Sequence, residues 1–522
     1  MDETTLKHGL ELFNQGRFFD AHEALEDVWR QAVGPEKRLL QGLIQVAVGL
    51  HHYSTGNIAG ARSLVRRGDA KLAEHPKGLL GVDVQALRRA IGAWVAAVDS
   101  GQHPPASSLP RLTWESGTIP ALVTHPSAAQ PSAATGIGQV PLLDLKRQYA
   151  QIRTEVLAAI ERVCSSQHFI LGEEVRSLER EIASYCGASS AVGCASGTDA
   201  LWLMLLAAGV EPGDEVITTP FSFFASTSAI LRAGARPVYA DIDPRTLNLD
   251  ADAVEQRIQR QPSAKLKCVL VVHLYGQCAN MDQFLRLGAQ YKLNVLEDAA
   301  QAIGAGWRGR RAGSLGTGAA LSFYPTKNLG AYGDAGCVTT VDPGLAERVR
   351  LLRHHGSRER YFHEALGWNS RLDALQAAVL RVKLKHLEKW NAERRQRAVT
   401  YDRLFQEAGL GMPGAAPGES PSHPISLPYT LPEAHHVFHQ YTIRARRRDD
   451  LRAYLAKQGI GAEIYYPLPL HLQKCLAYLG HGDGNFPEAE RAAKEILALP
   501  IFPELTEAEQ AHVVDTIADF YS

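Results

Sequence analysis

The sequence predicts a mostly parallel α/β sheet that follows a separate all-helical domain. Three observations support this fold class. Beyond about residue 190, short apolar runs rich in valine and isoleucine alternate with helix-like segments, which is typical of a parallel sheet covered by helices on both faces. The first hundred or so residues show helical spacing alone. Between these parts, residues 103–140 are dominated by proline, serine, alanine and glycine, as in an extended linker.

The N-terminal segment, residues 1–102, is expected to be a small helical domain. In "LKHGLELFNQGRFFDAHEALEDVW", apolar residues recur at helical spacing, with a break at Asn14-Gln15-Gly16. Further helices are predicted over 37–53, 57–74 and 83–99, and no β-like alternation separates them.

The C-terminal segment contains six apolar runs that read as strands: "AVGCAS" (191–196), "EVITTP" (215–220), "RPVYADI" (236–242), "KCVLVVHLY" (267–275), "LNVLEDAA" (293–300) and "AALSFYP" (319–325). Ligands bind parallel α/β sheets beyond the carboxyl ends of the strands. We therefore expect the residues that carry chemistry to follow directly after these runs.

Composition and charge limit the function classes. The net charge of the 522 residues is −1, so no electrostatic case exists for a nucleic-acid partner. The seven cysteines are scattered without a CxxC pair, which favours reduced thiols over a disulfide framework or a metal site. The charged N-terminus lacks an apolar signal core, and the run "LLQGLIQVAVGL" is too short to span a bilayer. The expectation is a cytoplasmic protein without a membrane partner.

The first candidate site follows "AVGCAS", where Gly197, Thr198 and Asp199 open a helix. Free N–H groups and the helix dipole make such a start suitable for binding an anion, although a plain capped helix start is the alternative. The second candidate is Asp298, at the end of "LNVLED". A buried carboxylate is costly without a partner, so Asp298 could hold a metal, cap a helix or pair with a protonated ring nitrogen.

The third candidate is Lys327, which follows "AALSFYPT" and has the hydroxyl of Ser322 shortly before it. The pKa of a lysine falls readily on burial, which suits a covalent bond to a carbonyl; a solvated charge is the alternative. An anion cradle, a buried aspartate and a loop lysine form the set that pyridoxal 5'-phosphate requires. Phe223, in "PFSFFAST", could cover the cofactor ring, with core packing as the alternative.

Seven motifs resemble those of the DegT/DnrJ/EryC1/StrS family of sugar aminotransferases: "ASGTDAL", "PFSFFAST", "HLYGQCANMDQF", "EDAAQAIGA", "SFYPTKNLGAYGDAG", "GWNSRLDALQAAVLRVKL" and "YYPLPLHLQ". The resemblance runs in order from about Val140 to the C-terminus. It implies the α/β architecture of fold-type I aminotransferases, with a large pyridoxal-phosphate domain over 141–390 and a smaller α+β domain over 391–522. It also implies a homodimer with shared active sites.

The resemblance implies a role for each matching residue. Lys327 would be the Schiff-base lysine and proton carrier, and Asp298 would pair with the pyridinium nitrogen. The cofactor-binding set would be completed by Gln301 near the ring oxygen, Gly197, Thr198 and Ser322 at the phosphate, Phe223 on the ring, and Asn369 at the phosphate of the neighbouring subunit. Family members with histidine in place of this lysine are dehydratases, so Lys327 favours transamination.

The substrate implied by the resemblance is a nucleotide-linked keto-sugar, with glutamate as the amino donor. Three stretches, "HFILGEEV", "LYGQCANMDQF" and "NSRLDALQAAVLRVKL", are most similar to members that aminate C3 of a 3-keto sugar, and amination at C4 is the alternative. Tyr465 and His471, in "EIYYPLPLHLQ", are candidate sugar contacts. The alternative is that these two side chains pack beneath a proline-rich turn and do not contact the sugar.

Two further motifs do not indicate sites. "GAGWRG" (304–309) fits GxGxxG, but it lacks the strand–turn–helix context of a dinucleotide site and reads as part of an exposed hairpin. "HHGSRERYFHE" (354–364) lacks metal-ligand spacing and is either a loop near the substrate phosphates or a surface charge run. No metal site is predicted.

The N-terminal segment resembles a helical family of undetermined function, DUF309, over about residues 5–97. His22 and Glu26 share one helix face, where Gln41, Gln45 and His52 could join them around a metal or a polar pocket. A buried hydrogen-bonded network is the favoured alternative. We expect a docking or regulatory module without catalysis. The appended domain also leaves open a non-catalytic regulatory or scaffold protein that retains the aminotransferase fold.

Overall fold

The structure of the protein, a computed structural model, describes residues 3–32, 34–55, 57–75, 80, 82–102, 104–105, 108–113, 139–413 and 423–522. The chain divides into two compact units, residues 1–134 and 135–522. Most of the predicted linker over 103–140 lies outside the described residues. The three boundaries between the four segments drawn from the sequence therefore stay predictions.

Among its described residues, the N-terminal unit contains five helices: α1 (Glu3–Asn14), α2 (Phe18–Gln31), α3 (Gly34–Ser54), α4 (Ile58–Leu72) and α5 (Val84–Asp99). The predicted break after α1 is confirmed, because Gly16 adopts a φ of +77°, which glycine accepts without steric cost. The apolar faces of the helices meet in one core, in which Leu25, Leu43 and Val65 are fully buried.

Helices α3 and α4 pack with their backbones close together at three glycines. A Cβ atom on Gly49 would lie 2.6 Å from Cγ2 of Val65, and one on Gly68 would lie 2.8 Å from the carbonyl oxygen of Gly42. No side chain fits at these positions without moving a neighbour. Glycine is therefore required here by the approach of the helices.

This packing predicts opposite effects for two Gly→Ala substitutions. Gly49→Ala should destabilise the helical unit by about 1–3 kcal/mol through overpacking. Gly92→Ala, at a position in α5 with no atom within 4 Å, should stabilise it by about 0.5–1 kcal/mol because alanine is the better helix former. Hydrogen exchange of the full-length chain should be faster across α3 and α4 in the first variant and slower across α5 in the second. Similar exchange in both variants would contradict the close packing.

The C-terminal unit contains twelve helices among its described residues: α6 (Leu145–Ser166), α7 (Glu173–Cys186), α8 (Gly197–Ala207), α9 (Ala225–Arg232), α10 (Ala251–Arg260), α11 (Met281–Tyr291), α12 (Pro343–Leu352), α13 (Ala374–Leu384), α14 (Leu387–Glu407), α15 (Arg448–Lys457), α16 (Pro487–Glu495) and α17 (Glu507–Tyr521). Its strands are β1 (Ser190–Cys194), β2 (Glu215–Thr218), β3 (Arg236–Tyr239), β4 (Leu266–Val272), β5 (Asn294–Asp298), β6 (Gly306–Trp307), β7 (Arg310–Arg311), β8 (Gly318–Ser322), β9 (Gly336–Thr340), β10 (Ser357–Glu359), β11 (Phe362–His363), β12 (Gly411–Pro413), β13 (Ile425–Leu427), β14 (Ala434–His435), β15 (Tyr441–Ala445) and β16 (Ile496–Leu499).

Seven strands form the central sheet, in the order β1-β9-β8-β5-β4-β2-β3. All six predicted runs are strands of this sheet, and the neighbouring strands β8, β5, β4, β2 and β3 are parallel. The sequence reading missed β9, which lies antiparallel between β1 and β8. Its first residue, Gly336, lies so close to the turn after β1 that a Cβ atom would be 2.2 Å from the carbonyl oxygen of Ser196. The glycine therefore allows β9 to enter the sheet beside β1.

A second sheet, β12-β13-β15-β16, belongs to the C-terminal part of this unit. The interpretation of "WRGRRAG" as a hairpin is confirmed: β6 and β7 pair antiparallel around Arg308 and Gly309, which both have positive φ.

In the part of the chain that the structure describes, no helix is both long and apolar enough to cross a lipid bilayer.

Candidate active site

A cavity of about 700 Å³ lies at the carboxyl ends of β1, β4, β5 and β8. Parallel strands bring their carboxyl ends to one edge of a sheet, so residues far apart in sequence meet there. The predicted site residues that line this cavity are Gly197, Thr198, Phe223, Asp298, Gln301, Ser322, Lys327 and Tyr465. Asn369 and His471 are not among the lining residues.

Asp298 is the last residue of β5, and its side chain is buried. Oδ2 accepts a hydrogen bond from Oγ of Ser226 at 2.7 Å, and Oδ1 accepts one from the backbone N–H of Ala300 at 3.2 Å. Burial raises the pKa of Asp298, while these hydrogen bonds and the nearby Lys327 amine oppose that rise. A carboxylate held in this way is suited to bind a buried cation.

Lys327 lies in the loop between β8 and β9. Its backbone N–H donates to the carbonyl oxygen of Tyr324 at 2.8 Å, and a Cβ atom on Gly330 would lie only 2.2 Å from the carbonyl oxygen of Pro325. The lysine is therefore carried by a tightly folded turn that glycine permits. Burial lowers the pKa of Lys327 to about 8, against the opposing effect of Asp298. A larger fraction of its amine is neutral at neutral pH than for an exposed lysine, and the neutral amine is the nucleophilic form.

The start of helix α8 lies against Ser322. Ser196 caps this helix by accepting the backbone N–H of Asp199 at 3.1 Å, and the first N–H groups of a helix have no partner within it. A Cβ atom on Gly197 would lie 2.6 Å from Cβ and 2.9 Å from Oγ of Ser322. The glycine thus lets a helix N-terminus and a hydroxyl meet in one cradle, which suits an anion such as phosphate.

Gln301 and Phe223 lie on the wall of the same cavity. Oε1 of Gln301 accepts the backbone N–H of Tyr275 at 2.7 Å, and its Nε2 donates to the hydroxyl of Tyr466 at 3.1 Å. The ring of Phe223 is 58% exposed and lies 6.0 Å from the ring of Tyr466. An aromatic face left this open in a cavity is available to stack on a planar ligand.

The structure places His471 outside the lining of the cavity. Its ring is buried, Nε2 lies 3.0 Å from Oε1 of Glu490, and the ring of Phe486 packs against it at 4.7 Å. The histidine is thus committed to packing beneath the proline-rich turn, which was the alternative, and it does not reach the cavity. Tyr465 does line the cavity, and its carbonyl oxygen accepts a hydrogen bond from the hydroxyl of Tyr275.

Asn369 is exposed on this chain and forms a β-bridge with His354. An exposed position outside the cavity is compatible with a role toward a second subunit, and that role stays a prediction.

Three residues of the site were missed by the sequence reading: Ser226, Tyr466 and His439. Ser226 lies one helical turn after Ser222 in "PFSFFAST", so a repeated hydroxyl was the available signal. His439 lines the cavity, and its Nδ1 lies 3.1 Å from Oδ1 of Asn328. Burial and the charge of Lys327 hold the pKa of His439 well below its usual range. His439 and Asn328 are 111 residues apart in the sequence, so no local sequence pattern indicates their contact.

The residues of the cavity fit pyridoxal 5'-phosphate. The cradle that a Cβ atom on Gly197 would fill suits the phosphate, buried Asp298 suits a protonated ring nitrogen, and Lys327 has the lowered pKa that carbonyl chemistry needs. Among the described residues, no group of three or more histidine, cysteine, aspartate and glutamate side chains is arranged to hold a metal ion.

In the helical unit, Nε2 of His22 lies 3.6 Å from Oε2 of Glu26, and both side chains are partly exposed. Nδ1 of His52 lies 3.3 Å from Nδ2 of Asn57. Both contacts join residues that are close together in the sequence, and the wider polar network around His22 and Glu26 stays a prediction.

The cavity and the surrounding sheet define the class of protein as an α/β aminotransferase. The chain matches the DegT/DnrJ/EryC1/StrS aminotransferase family over residues 150–518, and it belongs to this family. Residues 6–64 match a domain of unknown function, DUF309. Both resemblances drawn from the sequence and the predicted fold class are thereby confirmed, as is the prediction of an aminotransferase enzyme.

Two relatives and one solved structure show how similar the chain is to characterised proteins. It is 50% identical to a pleiotropic regulatory protein of Geobacillus stearothermophilus, over 73% of this chain and 98% of the relative. It is 44% identical to the dTDP-3-amino-3,4,6-trideoxy-alpha-D-glucose transaminase of Streptomyces venezuelae, over 73% of this chain and 96% of that enzyme. The crystal structure of DesV from S. venezuelae superposes with a TM-score of 0.68 at 42% identity, covering 74% of this chain and 99% of DesV.

Proposed function

We propose that this protein is a pyridoxal-phosphate-dependent aminotransferase that moves an amino group from glutamate to C3 of a nucleotide-linked 3-keto sugar. The observation that carries the proposal is the meeting of Lys327 and Asp298 in one cavity, beside the cradle formed by Gly197 and Ser322. The transaminase relative from S. venezuelae, whose name specifies a 3-amino sugar, supports the choice of C3.

The residues of the cavity would divide the binding of the cofactor among them. The start of α8 at Gly197 and Thr198, together with Ser322, would hold the phosphate. Asp298 would keep the ring nitrogen protonated, and Phe223 would cover the ring. When bound, pyridoxal phosphate acts as an electron sink for the carbon that exchanges its proton.

Two further residues would act at other edges of the cofactor and substrate. The Nε2 group of Gln301 lies in the cavity wall and would face the ring oxygen. The Nζ atom of Lys327 would first bond to the cofactor and then, once displaced, carry the proton between the cofactor and the sugar carbon. A group with a pKa near working pH is suited to both accept and return a proton.

The pKa of Lys327 predicts how covalent attachment of the cofactor to the apoprotein depends on pH. Because burial lowers this pKa to about 8, the neutral, reactive amine becomes dominant as pH rises through about 8. The attachment rate, followed by absorbance after mixing apoprotein with pyridoxal phosphate, should rise with pH and level off above that value. A midpoint near 10.5, as for an exposed lysine, would contradict the burial of the reacting amine.

The cradle predicts a selective effect for Gly197→Ala. The added Cβ atom would meet Ser322 at 2.6 Å, so the helix start and the hydroxyl must separate. We expect the affinity for pyridoxal phosphate to fall by about tenfold or more, as for the loss of one hydrogen bond to a charged group, while pyridoxal without the phosphate should bind equally to both forms. Equal loss for both ligands would show that the substitution acts elsewhere. Isothermal titration calorimetry measures both affinities.

The regiochemistry can be tested directly with a panel of 3-keto and 4-keto nucleotide sugars and glutamate. The proposal expects accumulation of 3-amino products, identified by NMR of the product sugar. Exclusive formation of 4-amino sugars would replace C3 by C4 and leave the aminotransferase assignment in place.

We also propose that the active protein is a homodimer in which each chain completes the site of the other. In the β10–β11 hairpin, which precedes Asn369, Tyr361 and Phe362 are 78% and 65% exposed, and Leu366, three residues after the hairpin, is 81% exposed. Apolar side chains this exposed are expected at an interface, and a partner seated there would bring Asn369 to the neighbouring phosphate. Sedimentation analysis of the full chain tests the dimer. A cytoplasmic location stays a prediction.

A second candidate function is regulation without turnover. It is favoured by the relative named a pleiotropic regulatory protein, at 50% identity, and by the appended DUF309 unit. The two functions differ in their response to glutamate. An aminotransferase converts its bound cofactor, so its absorbance changes on adding glutamate, whereas a regulator that keeps the cofactor would leave the spectrum unchanged.

A further inference from the structure

Two serines are linked by hydrogen bonds to the buried carboxylate of Asp298, and one of them, Ser222, also lines the cavity. Oγ of Ser226, in helix α9, donates to Oδ2 of Asp298 at 2.7 Å, and Oγ of Ser222 lies 2.8 Å from Oγ of Ser226. Both hydroxyls are buried, with residue exposures of 0% for Ser226 and 4% for Ser222. The three side chains form a continuous chain of hydrogen bonds that ends at Asp298.

The direction of this chain is fixed by the number of protons available. An ionised carboxylate only accepts hydrogen bonds, and a serine hydroxyl has a single proton to donate. Ser226 gives its proton to Asp298, so the contact between the two serines must be a donation from Ser222 to Ser226. Each donation polarises the next hydroxyl and strengthens its bond to the charged group.

The charges around Asp298 show why such a chain is needed. The titratable groups that act on it in the described part of the chain are Lys327, His273 and Tyr466. Nδ1 of His273 accepts the backbone N–H of Ala279, so the ring proton lies on Nε2 and faces Glu297 at 3.0 Å. The burial of Tyr466 and the charge of Asp298 raise the pKa of Tyr466 and keep its hydroxyl neutral.

Lys327 is the member of this set whose amine the proposed reaction takes away. The hydrogen bonds from Ser226 and from the N–H of Ala300 do not involve the lysine. They are fixed parts of the site that can stabilise the negative charge of Asp298 throughout.

We propose that Ser222 and Ser226 form a one-way hydrogen-bond relay that keeps Asp298 ionised and oriented toward a protonated ring nitrogen. Both serines are positioning residues that act through Asp298. The inference rests on the proposed function, since the ring nitrogen belongs to the proposed cofactor. It assigns to the motif "PFSFFAST" a second task beside the covering of the ring by Phe223.

The test compares four variants of the full-length protein: Ser226→Ala, Ser222→Ala, the double variant, and the control Ser228→Ala. Ser228 lies in the same helix, and its hydroxyl donates to the carbonyl oxygen of Ala225 and not to Asp298. Two readouts are used: the dissociation constant of pyridoxal phosphate, and the pH at which the absorption of the bound cofactor changes. Thermal melting of each apoprotein checks that the variant is folded.

The relay predicts that the substitutions have effects of different size and that the effects of the two serine substitutions do not add. Ser226→Ala should weaken cofactor binding by about tenfold or more, as expected for a hydrogen bond to a charged group, and should move the acid-side spectral midpoint upward by about one pH unit. Ser222→Ala should have a smaller effect in the same direction. The double variant should be no worse than Ser226→Ala, because Ser222 acts only through Ser226. Ser228→Ala should match the wild type.

Three results would overturn the relay. These are a Ser226→Ala protein with the wild-type dissociation constant and spectral midpoint, additive effects in the double variant, or an equal effect of Ser228→Ala. Failure of the proposed function looks different, because the wild-type protein itself would then bind no pyridoxal phosphate. If Ser226→Ala does not fold, the midpoint of Ser222→Ala decides alone: an upward shift supports the relay, and an unchanged midpoint overturns it.

Discussion

Replacing Lys327 with alanine is expected to reduce transamination by at least about 10³-fold, within the range for loss of a group that transfers protons in the reaction. The reason is specific to its place in the fold. The loop between β8 and β9 brings this amine into the cavity with Asp298, and burial lowers its pKa to about 8. A steady-state assay with glutamate and the keto-sugar acceptor measures the loss.

Two controls separate chemistry from folding in this experiment. Lys389→Ala removes a lysine whose side chain is 68% exposed and 3.8 Å from Glu393, and it should keep wild-type activity. The Lys327→Ala protein should still bind pyridoxal phosphate without a covalent link, because the cradle at Gly197 and Ser322 is intact, and added methylamine should restore part of the activity. Wild-type turnover by Lys327→Ala would contradict the assignment.

Replacing Asp298 with asparagine is the second change with a large expected effect. The two carboxylate oxygens accept hydrogen bonds from Ser226 and from the N–H of Ala300, and an asparagine offers one oxygen and an NH₂ group in their place. One donor is then left facing another donor, and the negative charge opposite the ring nitrogen is lost. We expect turnover to fall by about 10²–10³-fold, as for the removal of one electrostatic contact in an active site.

The matching control is Asp252→Asn, at an exposed position in the first turn of α10, which should leave turnover unchanged. Cofactor binding by Asp298→Asn should weaken as well, since the buried partner of the ring is gone. A variant with lost affinity but unchanged turnover at saturating cofactor would assign Asp298 to binding alone.

The strands, together with Asp298 and Lys327 near their ends, were predictable because the sequence patterns that indicate them are local. A run such as "LNVLED" combines an apolar strand with a charged residue at its end. A carboxylate at the end of a buried strand needs a partner, because burying an unpaired charge is costly. The run "AALSFYPTK" places Lys327 in the same way. For these residues the topology of a parallel sheet alone brings the side chains together.

The features that were missed depend on contacts between distant residues. Ser226 and Asp298 are 72 positions apart, so the repeated hydroxyls of Ser222 and Ser226 could indicate a polar site but not its partner. Strand β9 follows a run of glycines and joins the sheet antiparallel, against the pattern of its neighbours. The contact of His471 with Glu490, which lies 19 residues away in sequence, was likewise not indicated by any local pattern.

The covalent attachment of the cofactor tests the central claim most directly. The full-length protein, incubated with pyridoxal phosphate and reduced with borohydride, should be digested and analysed by mass spectrometry, with and without glutamate added before reduction. The account predicts the mass of the reduced cofactor on the peptide that contains Lys327, and loss of that label when glutamate comes first. A label on another lysine, or a label at Lys327 that glutamate leaves unchanged, would contradict it.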